Sequence, residues 1–131
     1  MKRLALTIAG LALTAVLPVL AHHSVAAEFD MKQPVTLKGV VTKIEWNNPH
    51  AWFYLDVKNE DGSVAHWQCE TGAPIELARR GWRKGDLKEG DEVTVKGFRA
   101  KDASNTANAR EVTFSDGRKV FTGSATDGGG Q

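Results

Sequence analysis

His50-Ala51-Trp52-Phe53-Tyr54-Leu55-Asp56-Val57-Lys58, followed by Asn59 to Ser63 and then Val64-Ala65-His66-Trp67-Gln68-Cys69-Glu70, is the stretch from which the fold follows. Ala51, Phe53, Leu55 and Val57 alternate with His50, Trp52, Tyr54 and Asp56, the period of a half-buried strand. Glu60-Asp61-Gly62 has the make-up of a three-residue hairpin loop, with glycine in the left-handed position. Such a loop pairs Asn59 with Ser63 and thereby fixes every pair behind it. The inner face then sets Val57 against Ala65, Leu55 against Trp67 and Phe53 against Cys69. The outer face sets Asp56 against His66, Tyr54 against Gln68 and Trp52 against Glu70. Each pair agrees with the pleat, and a slip of one residue would turn the whole apolar set outward.

Working outward from this hairpin, Val35 to Trp46 is a long run rich in Val, Thr and Ile. Its apolar parity shifts near Gly39, from Val35 and Leu37 to Val40, Ile44 and Trp46, which predicts a β-bulge at the glycine. Pro74 to Arg80 reads as a short helix, with Pro74 in the first turn, Gly81 after the end, and Trp82 folding back onto Leu77. A fourth strand spans Asp91 to Ala100 and a fifth Asn108 to Phe114, with a last extended piece around Lys119 to Phe121. Three strands, a helix and two strands is the order of a mainly β, five-stranded OB-fold-like Greek-key barrel. A two-layer sheet with one covering helix is the alternative.

The N-terminus begins with Lys2 and Arg3, continues as an apolar run from Leu4 to Leu17, and reaches Pro18-Val19-Leu20-Ala21. That is the pattern of a secretory signal peptide, and it is shorter than the about twenty apolar residues that a bilayer span needs. Cleavage after Ala21 divides the chain into a signal at 1–21, an extended segment at 22–34, the domain at 35–122 and a disordered tail at 123–131. Later cuts, after Ala26 or Ala27, also satisfy the small-residue rule. The expected location is periplasmic or secreted, with no membrane attachment after cleavage.

The chain carries 17 basic and 16 acidic residues; without Lys2 and Arg3 the balance is 15 − 16 = −1. A near-neutral chain argues against bulk nucleic-acid binding, which depends on neutralising phosphates. Cys69 is the only cysteine, so no internal disulfide forms, and the thiol reads as a small buried hydrophobe. Arg79, Arg80, Arg83 and Lys84 sit where cations offset the negative pole of the helix.

Two groups of residues carry candidate chemistry. The Ala21 cut would leave His22 first and His23 second, and an α-amine beside an imidazole chelates divalent copper. His50, in the turn Asn47-Asn48-Pro49-His50, is the candidate for the further ligand. The second group is a ligand-binding face made of Trp52, Tyr54 and His66, bordered by the polar loop Lys101 to Asn108; Asn105, Asn108 and Arg110 either contact a ligand there or, the plainer expectation, cap turns. Cover of those rings by the segment from His22 to Asp30, or by the tail, is likewise the plainer expectation. Trp67 reads as core. No serine-histidine-acid set, CxxC pair or phosphate loop is present in the sequence.

Three stretches carry a family resemblance: Ala21-His22-His23-Ser24 with Ala26 to Asp30, Glu45-Trp46 with Asn48 to Trp52, and Gly97 to Asp102 with Ser104 to Ala109. On these the chain resembles a family of small exported bacterial proteins, domain of unknown function family 6152. The resemblance covers nearly the whole mature chain and implies that the paired histidines and the Asn-Pro-His turn matter together. It implies no activity. A looser likeness, in strand order alone, is to small periplasmic OB-fold proteins, and such a likeness confers no function. The expectation is a non-enzymatic periplasmic binding protein that takes a copper-type ion or a small ligand, with another periplasmic protein as a further partner. Copper-dependent redox activity is the enzymatic alternative.

Overall fold

Alternation in the His50–Glu70 stretch is realised residue by residue. In the structure, a computed structural model that describes residues 24–123, β2 spans Trp52–Lys58 and β3 spans Val64–Glu70. They pair antiparallel, with Val57 opposite Ala65, Leu55 opposite Trp67, Phe53 opposite Cys69, Asp56 opposite His66, Tyr54 opposite Gln68 and Trp52 opposite Glu70. The Asn59 N–H donates to the Ser63 carbonyl at 2.8 Å, and Gly62 takes φ +86° at the loop's left-handed position. The Asp61 carboxylate accepts from both the Ser63 hydroxyl and the Ser63 N–H, which hold it below the usual carboxylate range.

The strand before the hairpin, β1, runs Phe29–Glu45 and so begins six residues ahead of the expected Val35. Part of the expected extended segment at 22–34 is therefore strand, and Ser24 caps a one-turn helix, α1 (Val25–Glu28), by accepting from the Ala27 N–H at 3.2 Å. The bulge in β1 lies between Val41 and Lys43, not at Gly39. Val40 misleads the sequence pattern: it is an exposed valine, 42% accessible, whereas Leu37 and Val41 are the buried pair on the opposite face. Gly39 keeps regular register with Val57 and with Val93, and a Cβ there would come within 2.6 Å of the Asp56 carbonyl oxygen. The glycine serves close strand approach; Thr42 is the extra residue.

Helix α2 (Pro74–Arg79) follows β3, then β4 (Glu92–Ala100), β5 (Thr106–Phe114) and β6 (Lys119–Phe121). β5 thus starts two residues before the expected Asn108. The described residues form a mainly β structure, one six-stranded sheet in the order β3-β2-β1-β4-β5-β6 with two short helices. Neighbours in that order are antiparallel. One further pairing is parallel: Gln68, Cys69 and Glu70 of β3 meet Thr106, Ala107 and Asn108 of β5. The succession β3-β2-β1-β4-β5 therefore returns to β3 through hydrogen-bonded pairs. Further register shifts lie between Phe29 and Pro34 of β1 and between Lys96 and Gly97 of β4, and the latter leaves Arg110 of β5 without a partner residue in β4.

Inside lie Leu37, Val41, Phe53, Leu55, Val95 and Val112, and α2 adds Leu77. After the helix the Trp82 N–H donates to the Leu77 carbonyl at 2.9 Å, with Gly81 at φ +87°, so the chain folds back as the glycine implies. Trp82 then packs edge-on against Trp46 and Phe53, with ring centroids 5.9 and 6.4 Å apart. Trp67 is half-buried and packs against the core from its margin. Burial pushes the Cys69 thiol up to about 12, so at neutral pH it stays protonated, as expected of a small buried hydrophobe. At the far end Thr122 is buried, receives the Gly72 N–H and donates its own hydroxyl to Ala109, and Gly123 packs against Phe121. The expected signal peptide at 1–21, His22, His23 and residues 124–131 lie outside the described residues.

Candidate functional site

The outer face of β2 and β3, the bulge of β1 and the β4–β5 loop enclose an open groove of about 420 Å³. Tyr54, Asp56, His66 and Gln68 line its floor, with Thr42 and Lys43 on one side and Ser104, Asn105 and Thr106 on the other. Strand alternation aims the floor residues outward; the Thr42 bulge then brings Lys43 opposite Tyr54.

The Tyr54 hydroxyl donates to Glu45 Oε2 at 2.9 Å, and the Lys43 ammonium bonds Glu45 while lying 5.2 Å from the Tyr54 ring centre. The Lys43 bond, with the Tyr54 hydroxyl second, holds the Glu45 carboxyl below its ordinary range, and the same contact raises Lys43. Burial, then the Glu45 bond, pushes the Tyr54 phenol up, so it remains a neutral donor. Across the floor His66 Nδ1 donates to Asp56 Oδ1 at 2.6 Å and leaves Nε2 toward solvent.

The β4–β5 loop is held chiefly by Arg99 and Gln68. Arg99 donates to the Ser104 carbonyl at 3.1 Å, the Ala103 carbonyl at 2.8 Å and Asn105 Oδ1 at 3.3 Å, with its guanidinium 5.3 Å from the Trp67 ring centre. Ala103 sits at φ +62°, a position unfavourable for a residue with a Cβ, and the Arg99 bond to its carbonyl helps to keep it there. Gln68 ties the same loop to β3: its N–H meets the Asn105 carbonyl at 3.0 Å and its Nε2 meets Thr106 Oγ1 at 2.8 Å. The groove is therefore walled by a fixed loop, as a preformed binding site requires.

Of the residues expected at a ligand face, the groove gathers Tyr54, His66 and Asn105. Trp52 is half-buried and borders instead a small cavity of about 10 Å³ beside Trp46 and Trp82. Asn108 is 1% exposed, within the strand ladder opposite Glu70 and Phe98, and is not a surface contact. Arg110 sits at the β5 bulge with its guanidinium 5.4 Å from the Phe121 ring centre, away from the groove lining. The described part of the segment expected to cover the rings goes elsewhere, since Lys101 bonds the Glu28 carbonyl through its N–H and the Ala26 carbonyl through Nζ. Gln68 stands beside Tyr54 as the alternation predicts, whereas Arg99 and Thr106 escape sequence reading: a guanidinium that ties a loop makes no periodic pattern.

His50 lies beyond the start of β2. Its Nδ1 is 2.8 Å from the Thr71 carbonyl and 3.5 Å from Glu70 Oε1, and its side chain is 22% accessible. A carbonyl only accepts, so Nδ1 carries a proton, and in the neutral ring the lone pair then sits on Nε2. Among the described residues no group of three or more His, Cys, Asp or Glu is placed to hold a metal ion.

The family model described as a family of unknown function (DUF6152) matches residues 10–109, well over half of the chain and all of the groove lining. No curated protein matches the chain, and no solved structure does.

Proposed function

The chain belongs to the family of unknown function DUF6152, and from its own geometry we propose that it is an exported binding protein whose groove on β2 and β3 holds a small or extended ligand. The N-terminal signal pattern supports export, and the ring of five strands with α2 between β3 and β4 supports an OB-fold-like Greek-key barrel. The observation that carries the reading is the groove of about 420 Å³ with its loop wall fixed by Arg99. Binding rather than catalysis fits the side chains present: the Tyr54 hydroxyl is committed to Glu45, and His66 to Asp56. The ligand is expected among the small molecules of a periplasmic extract. Titrating such an extract into labelled protein should move the amide signals of Tyr54, His66, Gln68 and Ser104 to Thr106. Arg99→Ala, which frees the loop, should weaken binding about tenfold, the worth of one or two charge-assisted hydrogen bonds. Shifts that avoid the groove, or an Arg99→Ala protein that binds as well as the native one, would defeat this assignment.

A second reading rests on His50, whose Nδ1 is held by the Thr71 carbonyl in the arrangement that presents Nε2 to a metal. With cleavage after Ala21, the His22 amine and ring, with His23, would supply the remaining nitrogen donors for a copper ion. The untagged secreted protein should then begin at His22 and gain one copper by native mass spectrometry. His50→Ala should cut that affinity by roughly two orders of magnitude, as loss of a ligating nitrogen does. An N-terminus at Ala27 or Glu28, or a copper affinity indifferent to His50, removes this reading and leaves the groove untouched.

A further inference from the structure

We propose that the groove takes an extended segment of another polypeptide, which adds as a strand to the bare edge of β3. The proposal rests on the groove reading and names the ligand's class. It starts from which way the backbone of β3 faces. In an antiparallel pair, alternate residues exchange both of their backbone bonds with the partner strand, and those between them point away. Here the Asn59 N–H bonds Ser63 at one end of the hairpin and the Thr71 N–H bonds Ala51 at the other. The odd-numbered residues of β3 therefore face β2, and the even-numbered ones face outward. The Gln68 N–H agrees, since it leaves β2 and reaches the Asn105 carbonyl.

The pairing with β5 begins only at Gln68. The N–H and C=O groups of Val64 and His66 consequently line an edge that no described strand covers. Edges of this kind are usually blunted by a lysine, a proline, a bulge or an inward charge. β3 has none of these between Val64 and Cys69: its pairing with β2 is unbroken, and Val64 stands 51% exposed. The groove opens along the same edge, between His66-Trp67-Gln68 and Ser104-Asn105-Thr106. Arg99 holds that loop in the position that keeps the slot open.

A row of alternating donors and acceptors with no charge of its own is complementary to a neutral peptide backbone in extended form. Alternate side chains of the added strand would fall beside His66 on one face and beside Trp67 on the other. The occupant is thus an extended stretch of a second protein, held mainly by its main chain.

The test uses the heptapeptide Thr-Val-Thr-Val-Thr-Val-Thr and a copy methylated on alternate backbone nitrogens, each titrated into the secreted full chain. The unmodified peptide should slow amide hydrogen exchange at Val64 and His66 about tenfold or more, while exchange at Gln68 stays as it was. The methylated copy keeps the side chains and should bind at least about tenfold more weakly. Val64→Pro removes one outward N–H at the first residue of a strand, where proline is tolerated, and should weaken the peptide without unfolding the chain. Rescue of binding in Val64→Ala shows that the loss is the N–H rather than the side chain. Equal affinity for both peptides, or no peptide binding at 1 mM, overturns strand addition. The groove reading survives that outcome if extract components still shift Tyr54 and Asn105. A doubling of mass that Val64→Pro abolishes would make the occupant a second copy of this chain and would also overturn the proposal.

Discussion

Gly97→Ala is expected to destabilise the chain by about 3 kcal/mol, the upper end of what overpacking costs. For a domain of this size, that loss lowers the melting temperature by roughly 12–24 °C. A Cβ on Gly97 would lie 2.0 Å from the Asn108 carbonyl oxygen, 2.9 Å from its carbon and 3.2 Å from the Ala109 Cα. All three atoms are backbone, so no side chain can swing aside. The clash also falls where the sheet has least freedom. Gly97 stands at the β4–β5 register shift, and the Asn108 it would strike is also paired with Glu70 of β3. Relief would require parting β4 from β5 and, with it, loosening the parallel link to β3. Gly62→Ala is the control: at φ +86° it meets nothing within 4 Å and should cost only about 1 kcal/mol of backbone strain. A Gly97→Ala protein that melts no lower than Gly62→Ala would show that β5 has room to move at this point.

The difference between the two glycines illustrates what a sequence makes visible. Gly62 announces its own role, because Glu60-Asp61-Gly62 between two alternating runs fixes loop length, register and every pair behind it. Gly39 and Gly97 do not, since the atoms that forbid a side chain belong to residues 17 and 11 positions away. Val40 is instructive for the opposite reason: an exposed valine in a bulged strand looks like core, and it displaced the expected bulge from Thr42 to Gly39. Helix α2 was legible from Pro74 and Gly81 because those cues are local.

The candidate site divides in the same way. Tyr54 and His66 were legible because period-2 alternation assigns faces. Asn108 and Arg110 were misplaced because β5 begins at Thr106 rather than Asn108 and bulges at Arg110, which carries the first into the ladder and the second away from the groove. The Arg99 contacts with Ala103, Ser104 and Asn105 were invisible, since they depend on how the loop returns over Trp67.

Trp82→Ala should cost about 3–5 kcal/mol, the range for deleting a buried indole, and should lower the urea midpoint accordingly. The ring is 2% exposed and locks Trp46 and Phe53 edge-on, so its loss strips the contact that joins the segment after α2 to the inner face of β2. Trp82→Phe should behave differently. The indole Nε1–H is buried without a hydrogen-bond partner among the described residues, and an unsatisfied buried donor carries a penalty of about 1–3 kcal/mol. Phenylalanine discards that donor while keeping a ring for Trp46 and Phe53, so the gain offsets much of the lost volume. The native protein and Trp82→Phe should therefore lie within about 1 kcal/mol of each other, a much smaller gap than for Trp82→Ala. The adjoining cavity of about 10 Å³ decides between two pictures of the donor, because a space of that size is at the lower limit for one water molecule. If Trp82→Phe proves as costly as Trp82→Ala, the Nε1–H is satisfied in solution by such a water, and the orphan-donor argument fails. If the two variants separate as stated, packing against Trp46 and Phe53 holds Trp82 without a hydrogen bond from the indole.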